Sequence, residues 1–358
     1  MAEPVRFGVL GCANIARKVI RAMTLAEGVE AHAVSSRSLE KAQRFAEEVG
    51  KATGAKLIAY GSYEELLSDP QIDVVYMPLP TSLHLEWVQK AAAQKKHVLL
   101  EKPPALTLEE MDKILKVCED AGVQYMDNSM WIHNPRMEAI RAAKQSKENF
   151  GQVLRFDSSL HFHLPLHSGD IRLDSALDAL GALGDVGWYC IGHSLWAMDW
   201  DLPQRVVAQP GTKTSKGGVI TSIGATLVWA DGRVATFYCS FEAAWGQQAY
   251  LVGTNGHIHW NDLCIPMRED SCAFVTSSKP GLINSDTEVS NEYRETRVDL
   301  RVPQEALVLE DFAAIVSGLK AGKEALDSRW PERSYKTLRV LLAVKDSYDK
   351  GEAEIRVT

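Results

Sequence analysis

The chain has 358 residues, of which 46% are hydrophobic and 24% are charged. This is the composition of a globular protein, and the length is sufficient for two domains with separate cores. The 39 basic and 47 acidic side chains leave a net charge of −8 at pH 7, which argues against a general nucleic-acid binder and against a protein that binds anionic membranes.

Cysteine usage and the first residues indicate a reducing compartment. None of the six cysteines forms a Cys-x-x-Cys pair, and several lie in apolar runs, so we expect free, buried thiols. The start of the chain lacks a basic stretch followed by an apolar run, and no segment has the length and apolarity of a membrane span. A cytoplasmic protein is therefore expected.

Strand-like and helix-like segments alternate with short connections over residues 1–128. The predicted strands cover residues 5–10, 29–34, 56–59, 72–77, 97–100 and 123–126. Repeated β-α units predict a doubly wound parallel sheet, so residues 1–128 are predicted to form an α/β domain of the Rossmann type that binds a dinucleotide.

A glycine turn follows the first predicted strand and precedes a helix, which is the context of a dinucleotide fingerprint. Only the first glycine of Gly-x-Gly-x-x-Gly is present, since Ala13 and Ala16 occupy the other two places. A purely structural glycine turn is the alternative interpretation. The residues predicted to surround the cofactor phosphates are Gly11, Cys12, Ala13, Asn14 and Ile15.

The end of the second strand favours NADP over NAD. An NAD enzyme usually has an acidic residue here to bind the ribose hydroxyls, but the first acid in this stretch is Glu40. Instead Ser36, Arg37 and Ser38 suit a ribose 2′-phosphate, because guanidinium pairs with phosphate. The alternative is that Ser38 caps a helix beside an exposed arginine.

The buried strand at residues 97–100 leads into Glu101, Lys102 and two prolines. Ligands of open α/β sheets bind outside the carboxyl ends of the strands, so a lysine here is a candidate for chemistry. Glu101 and Lys102, with three residues that follow the preceding strand, are predicted to line the nicotinamide side of the cofactor site; those three are Pro80, Thr81 and His84. His84 could instead pack in the first turn of its helix.

The pattern changes after Asn128, and residues 129–358 are predicted to form a second, α+β domain. Runs of β-branched and aromatic residues over about 204–260, with an Asp231-Gly232 turn, predict a large, mostly antiparallel sheet. One face would pack on helices, and the open face, if apolar, would need a partner subunit. Residues 211–218 and 277–287 are predicted loops, 304–319 and 331–348 helices, and 353–357 a strand.

Three groups able to exchange protons recur at intervals of four in this second domain. Asp185, Tyr189 and His193 would share one face of a helix, in a segment apolar enough to be buried. A buried acid needs a partner, which Lys102 could provide. The alternative is a buried helix whose Asp caps its start and whose Tyr and His bond to backbone; for His193 this alternative is favoured.

Other histidines have weaker signals. His161 and His163, with His167 beyond them, could be drawn as a metal site, but without neighbouring cysteines or a clear carboxylate set we predict cleft lining or surface and no metal. The residues predicted to line the substrate pocket are Trp131, His133, His161, Arg172, Asp185 and His193.

The motifs together resemble the Gfo/Idh/MocA oxidoreductases over nearly the whole chain. The resemblance is carried by Glu101-Lys102-Pro103, by Met130-Trp131 with Pro135, and by Gly184-Asp185-Val186-Gly187 with Tyr189. A tyrosine four residues after the aspartate is similar to the branch that contains glucose-fructose oxidoreductase and the dimeric dihydrodiol dehydrogenases. That branch uses NADP.

The resemblance implies a Rossmann domain, a C-terminal domain with an open-faced sheet, and a homodimer or homotetramer built through that sheet. It implies hydride transfer between a nicotinamide and a carbinol or carbonyl carbon of a sugar, polyol or trans-diol. Lys102 would contact the substrate oxygen, Tyr189 would act as acid and base, and Asp185 would lie beside them. A non-catalytic NADP-binding regulator and a glycosidase-type enzyme that retains its nicotinamide cofactor are the alternative functions.

Overall fold

The computed structural model describes residues 3–166, 169–283 and 288–357, which form two compact units. The first unit contains residues up to 133 together with 302–335, and the second contains 134–301 and the residues from 336 onward. In the described part of the chain, no helix combines the length and apolarity needed to cross a membrane.

The described residues of the first unit form one parallel sheet of six strands in the order β3-β2-β1-β4-β5-β6. This is the doubly wound order, in which the strand order across the sheet reverses between β1 and β4 while all strands stay parallel. It confirms the predicted Rossmann sheet. The strands are β1 (Val5–Leu10), β2 (Val29–Ser35), β3 (Ile58–Tyr60), β4 (Val74–Met77), β5 (His97–Leu100) and β6 (Tyr125–Asp127).

Helices connect these strands, and three of them begin at a residue whose side chain caps the helix. The Ser38, Ser62 and Thr107 hydroxyls each accept a hydrogen bond from a backbone N–H of the following turn. The helices are α1 (Asn14–Leu25), α2 (Leu39–Thr53), α3 (Tyr63–Leu67), α4 (His84–Ala93) and α5 (Leu108–Ala121).

The described residues of the second unit form a ten-stranded sheet in which only one neighbouring pair of strands, β7 and β11, is parallel. Along β7 and β11, Phe156, Leu160 and Phe237 are buried on one face while Tyr238 is exposed on the other, which confirms the predicted open-faced sheet. The strands are β7 (Val153–His163), β8 (Arg205–Ala208), β9 (Lys213–Thr214), β10 (Ile220–Val228), β11 (Val234–Ser240), β12 (Glu242–Gly253), β13 (Gly256–Trp260), β14 (Ser271–Ile283), β15 (Glu288–Asp299) and β16 (Ile355–Arg356).

The predicted loop at 277–287 is wrong for its first part, because β14 continues to Ile283 and pairs with β15. Ser277 and Ser278 lie opposite Tyr293 and Glu292 in this hairpin. Backbone pairing at the end of a sheet does not require apolar side chains, so a polar stretch is a poor sign of a loop there. Residues 284–287 lie outside the described residues. The other predicted loop, at 211–218, contains the short strand β9.

Four further helices are α6 (Pro135–Lys144), α7 (Trp188–Ala197), α8 (Gln304–Lys320) and α9 (Arg329–Asp349). The predicted boundary at 128/129 is wrong for α8, which belongs to the first unit. The Phe312 ring of α8 packs edge-on against Phe7 of β1 at 6.5 Å, and both side chains are fully buried. A segment belongs to the domain whose core its apolar face fills, and this is not visible from its position in the chain.

Candidate active site

The turn after β1 contains a glycine with positive φ and leads directly into a helix. Gly11 has φ +104°, a conformation that favours glycine, and a Cβ there would lie 3.2 Å from Leu79 Cδ2. The N-cap of α1 is Ala13, whose methyl group cannot accept a hydrogen bond, so no side-chain cap covers the first-turn amides. An anion placed at this helix start would receive those N–H groups and the positive end of the helix dipole.

The segment after β2 lies at the same edge of the sheet. Gly11 N donates to Ser35 O at 3.0 Å, and Ser36 is buried beside the Cys12 thiol. Burial raises the pKa of the Cys12 thiol, with opposing effects from nearby Lys41 and Arg17. All six cysteines are free, and all except Cys12 are buried, in agreement with the prediction.

Arg37 is exposed, and its charge acts on the Tyr63 phenol, which lies next to the glycine turn. The positive group therefore lies within electrostatic range of the candidate phosphate site. Ser38 accepts a hydrogen bond from Lys41 N at 3.3 Å, so it is the cap that the alternative interpretation predicted; its contact with a cofactor stays a prediction.

His84 is 1% exposed, as the alternative interpretation predicted, and its contact with the cofactor stays a prediction. Its Nδ1 and Nε2 lie 3.0 Å from Pro104 O and Leu79 O, respectively. Burial lowers the pKa of His84 to about 4, so the ring is neutral near pH 7. His84 links the turn after β4 to the segment after β5. In that turn, Pro80 precedes a short 3₁₀ turn and Thr81 is buried.

Glu101 is held from both neighbouring strands. Its Oε1 accepts from the Tyr76 hydroxyl at 2.5 Å and from Asn128 Nδ2 at 2.8 Å, and its Oε2 accepts from Lys102 N at 3.3 Å. Burial and the adjacent carboxylate raise the pKa of Tyr76 well above 10, so the phenol stays a donor. Lys102 itself is partly exposed and is joined to Pro103 by a cis peptide bond.

The sequence analysis missed Tyr76 and Asn128. A usable signal existed for Asn128, because it is a polar residue directly after a parallel strand, at the edge where ligands bind. Tyr76 is the one side chain with a polar atom that can donate in the Val-Val-Tyr-Met strand. Nothing in a buried strand indicates that its hydroxyl meets a carboxylate from the next strand.

In the second unit, Asp185 is 9% exposed and pairs with Arg172, whose Nε lies 2.9 Å from Asp185 Oδ2. Arg172 Nη1 also donates to Asp170 Oδ1 at 3.1 Å. The two carboxylates raise the pKa of Arg172, and the larger contribution comes from Asp185. Arg172 therefore stays charged. Asp185 thus has a cationic partner within its own unit that the sequence analysis did not assign to it.

The predicted single helix face for Asp185, Tyr189 and His193 is only partly correct. Residues Leu183–Gly187 form a π-helical turn, and α7 begins at Trp188, so Asp185 lies on a wider turn than the spacing of four assumes. A Cβ on Gly187 would lie 3.1 Å from Cys239 Sγ, so a small residue lets this turn approach β11. Tyr189 lies in the first turn of α7 and is 6% exposed.

The His193 side chain is fully buried in the second unit, and its contact with substrate stays a prediction. Nδ1 donates to Tyr189 O at 2.8 Å, and the ring lies 6.2 Å from that of Trp260. Burial lowers the pKa of His193 to about 3. The favoured alternative, a buried histidine bonded to backbone, is therefore confirmed.

The remaining pocket candidates differ in exposure. The His133 side chain is 1% exposed, pairs with Asp311 at 2.6 Å and stacks on Trp330; its contact with substrate stays a prediction. Trp131 is 3% exposed and lies in the same 3₁₀ turn. His161 is partly exposed on β7, with Nδ1 2.5 Å from Ala244 O. For Trp131 and His161 as well, contact with the substrate stays a prediction.

Within the described residues, no group of three or more His, Cys, Asp or Glu side chains is arranged to hold a metal ion. His167, the third member of the metal site considered from the sequence, lies outside the described residues.

Known proteins match the chain over almost its full length. The Gfo/Idh/MocA oxidoreductase family with an NAD-binding Rossmann fold matches residues 5–129, and the Gfo/Idh/MocA C-terminal domain matches 138–259. An NADP(+) D-xylose 1-dehydrogenase of Haloferax volcanii is 33% identical over 348 residues, 97% of this chain and 98% of that protein. A trans-1,2-dihydrobenzene-1,2-diol dehydrogenase of Danio rerio is 31% identical over 71% of this chain and 73% of its own.

A solved structure shares the fold. A 3-ketoreductase from Actinomadura kijaniata, crystallised with NADP and TDP-benzene, superposes with a TM-score of 0.77 over 96% of this chain and 98% of its own, at 23% identity. The sequence matches over both halves, together with the doubly wound sheet and the open-faced sheet, confirm the resemblance. The chain belongs to the Gfo/Idh/MocA family of oxidoreductases.

Proposed function

We propose that this protein is an NADP-dependent dehydrogenase or reductase that transfers hydride between the nicotinamide and a carbinol or carbonyl carbon of a sugar, polyol or trans-diol. The observation that carries the proposal is the placement of Lys102 two residues after β5, at the carboxyl edge of a doubly wound sheet and next to Glu101, whose carboxylate is held from two neighbouring strands. The full-length relatedness to a D-xylose 1-dehydrogenase supports the substrate class.

The residues of the first unit fit NADP. The uncapped amides at the start of α1 suit the pyrophosphate, and exposed Arg37 suits a 2′-phosphate. When bound, NADP supplies the hydride donor or acceptor. The protein must then stabilise charge on the substrate oxygen and move the hydroxyl proton.

Lys102 and Tyr189 are assigned to these tasks. The Lys102 ammonium stabilises negative charge that develops on the substrate oxygen, and the Tyr189 phenol accepts or returns its proton. Asp185, four residues before Tyr189, pairs with Arg172 of the same unit. This division of roles is an extension of the family resemblance to these positions.

The charges around Arg172 favour a neutral substrate. One guanidinium pairs with two carboxylates, Asp170 and Asp185, so this group of three carries a net negative charge. A phosphorylated sugar would be repelled, whereas hydroxyl groups can donate to carboxylates. Oxidation of D-xylose is expected to exceed that of a xylose phosphate at equal concentration, measured by NADPH formation.

The test of the catalytic assignment is Lys102→Met. We expect kcat to fall by about two to four orders of magnitude, because positioned charge stabilisation and proton transfer are lost. NADPH binding, followed by nicotinamide fluorescence, should persist. Lys116→Met, which removes an exposed lysine paired with Asp120 on α5, is the control and should keep full activity. Full turnover in Lys102→Met would reject the assignment.

The cofactor assignment is tested by binding. We expect NADPH to bind more tightly than NADH, and Arg37→Ala to weaken NADPH by about 10- to 100-fold through the loss of a charge-assisted bond. Arg44→Ala, an exposed arginine on α2, is the matched control. Binding of neither cofactor would favour a non-catalytic protein. Retention of cofactor through dialysis would favour the glycosidase-type alternative.

The open sheet face supports assembly as a homodimer or homotetramer. Tyr238, Tyr250 and Tyr293 are 42%, 39% and 64% exposed, and the Tyr250 ring stacks on His257 at 4.8 Å. Exposed aromatic groups clustered on one face are typical of subunit interfaces. Sedimentation velocity should show an oligomer that Tyr250→Glu dissociates, and a wild-type monomer at micromolar concentration would contradict this.

A further inference from the structure

A buried phenol of β4 reaches a carboxylate at the end of β5. Tyr76 is 0% exposed and pairs in register with Leu99, two residues before Glu101. Its hydroxyl donates to Glu101 Oε1 at 2.5 Å. Phenylalanine would fill the same volume, so packing alone does not require the hydroxyl group.

A second donor arrives at the same oxygen from the opposite side. Asn128, 2% exposed, follows β6 and is tied to β5 through Asn128 N and Leu100 O at 2.8 Å. Its Nδ2 donates to Glu101 Oε1 at 2.8 Å. A carboxylate oxygen that accepts two bonds from rigid strands on either side has little freedom to turn.

The other oxygen of this carboxylate holds the backbone of the neighbouring residue. Glu101 Oε2 accepts from Lys102 N at 3.3 Å, so the strands on both sides of β5 are connected to Lys102 through one side chain. Burial keeps the Tyr76 pKa well above 10, and the phenol remains a donor across the working pH range.

We propose that Tyr76 is a positioning residue for Lys102, acting through the Glu101 carboxylate. The inference rests on the proposed function, since it assumes that the Lys102 ammonium acts on the substrate oxygen. A lysine side chain is flexible, so its ammonium group is well positioned only if the backbone that carries it is held in one place. Small displacements of a catalytic group reduce the reaction rate strongly. The Tyr76 hydroxyl helps to hold the Lys102 backbone through Glu101, without touching the substrate.

The test is Tyr76→Phe, compared with Tyr125→Phe. Tyr125 is a buried tyrosine of β6 in the same sheet whose phenol lies beside Ser334 and Asp127. We expect Tyr76→Phe to lower kcat by about tenfold, corresponding to one hydrogen bond to a charged group, with KM for NADP changed less than twofold. Tyr125→Phe should leave kcat near wild type. Equal losses of kcat in both variants, or a change confined to KM, would overturn the proposal.

A double variant separates positioning from an independent effect. If Tyr76 acts through Lys102, Tyr76→Phe should reduce the residual rate of Lys102→Met by less than twofold. A further tenfold loss in that background would overturn the proposal. Asn128→Ala, which removes the other donor to Glu101 Oε1, should also lower kcat, and it provides the measurement if Tyr76→Phe does not fold.

Failure of this inference differs from failure of the proposed function. Wild-type kcat in Tyr76→Phe beside an inactive Lys102→Met would overturn only the positioning role. Full activity in Lys102→Met would overturn the proposed function and this inference with it.

Discussion

Two of the arginine–aspartate pairs in the second unit differ clearly in exposure. Arg136, whose side chain is 1% exposed, donates to the Asp262 carboxylate and, from Nη2, to Asp262 O at 2.8 Å. Arg172, whose side chain is 39% exposed, donates to Asp185 and Asp170. The enclosed pair joins the start of α6 to the segment after β13, while the partly exposed one joins the π-helical turn to the 3₁₀ turn Ile171–Leu173.

The difference in exposure predicts a difference in role. An enclosed charge that loses its partner is left without solvent, so the Arg136 pair is expected to matter for stability. A guanidinium with exposed surface can be solvated when its partner is lost, and it can also meet a substrate. We therefore expect the Arg172 group to matter for activity more than for folding.

The largest effect is expected for Arg136→Met. The free energy of unfolding should fall by about 3–5 kcal/mol, because Asp262 would remain as an uncompensated buried charge. Arg141→Met, on the same helix and with an exposed side chain paired to Glu138, should change it by less than about 0.5 kcal/mol. Urea unfolding measures both. A small effect for Arg136→Met would show that the enclosed pair does not stabilise the fold.

A smaller effect, on activity, is expected for Arg172→Met. We expect kcat/KM to fall by about 10- to 100-fold, since the cationic partner of Asp185 is lost. The free energy of unfolding should fall by less than for Arg136→Met, because the Arg172 side chain is 39% exposed whereas that of Arg136 is 1% exposed. Arg268→Met, which removes an exposed arginine paired with Asp270, is the control for both measurements. Loss of folding without a change in kcat/KM would assign Arg172 a structural role.

Acidification should lower the stability of the protein through the buried His193. The pKa of His193 is lowered to about 3, mainly by burial and in part by Arg136, so the unfolded state binds a proton that the folded state does not. Stability should therefore fall as pH decreases from about 6.5 toward 3, by at most about 1.4 kcal/mol per pH unit for this residue. Unfolding of wild type and His193→Asn across this range measures the slope, which the variant should reduce.

The smallest effect is expected for Asp170→Asn. Asp185 still holds Arg172 Nε in this variant, so kcat/KM should fall by less than about fivefold and stability by less than about 1 kcal/mol. A loss as large as that of Arg172→Met would show that Asp170, and not Asp185, is the partner that matters.

Much of the first unit and part of the site followed from local patterns. Apolar runs separated by helix caps predicted the strands and helices around Gly11 and Lys102, and the lack of an acid after β2 favoured NADP. These features depend only on residues close in sequence. A glycine can adopt a positive φ within a single turn, and a residue that follows a strand lies at the end of that strand whatever packs around it.

The histidines show where local patterns stop being informative. His84, His133 and His193 each followed or preceded a motif, yet each side chain is buried against groups of its own unit. Periodicity states which residues avoid water, but not how deeply they lie or which carbonyl or carboxylate they meet.

Patterns within a few consecutive residues were enough to predict the fold class, the two kinds of sheet, the glycine turn after β1 and the position of Lys102 at the end of a strand. The packing of α8 in the core of the first unit, the pair of Asp185 with Arg172 thirteen residues away, and the meeting of Tyr76 and Asn128 at Glu101 became visible only in the folded chain. These are contacts between distant segments, and packing among all the apolar and charged groups of a unit selects them.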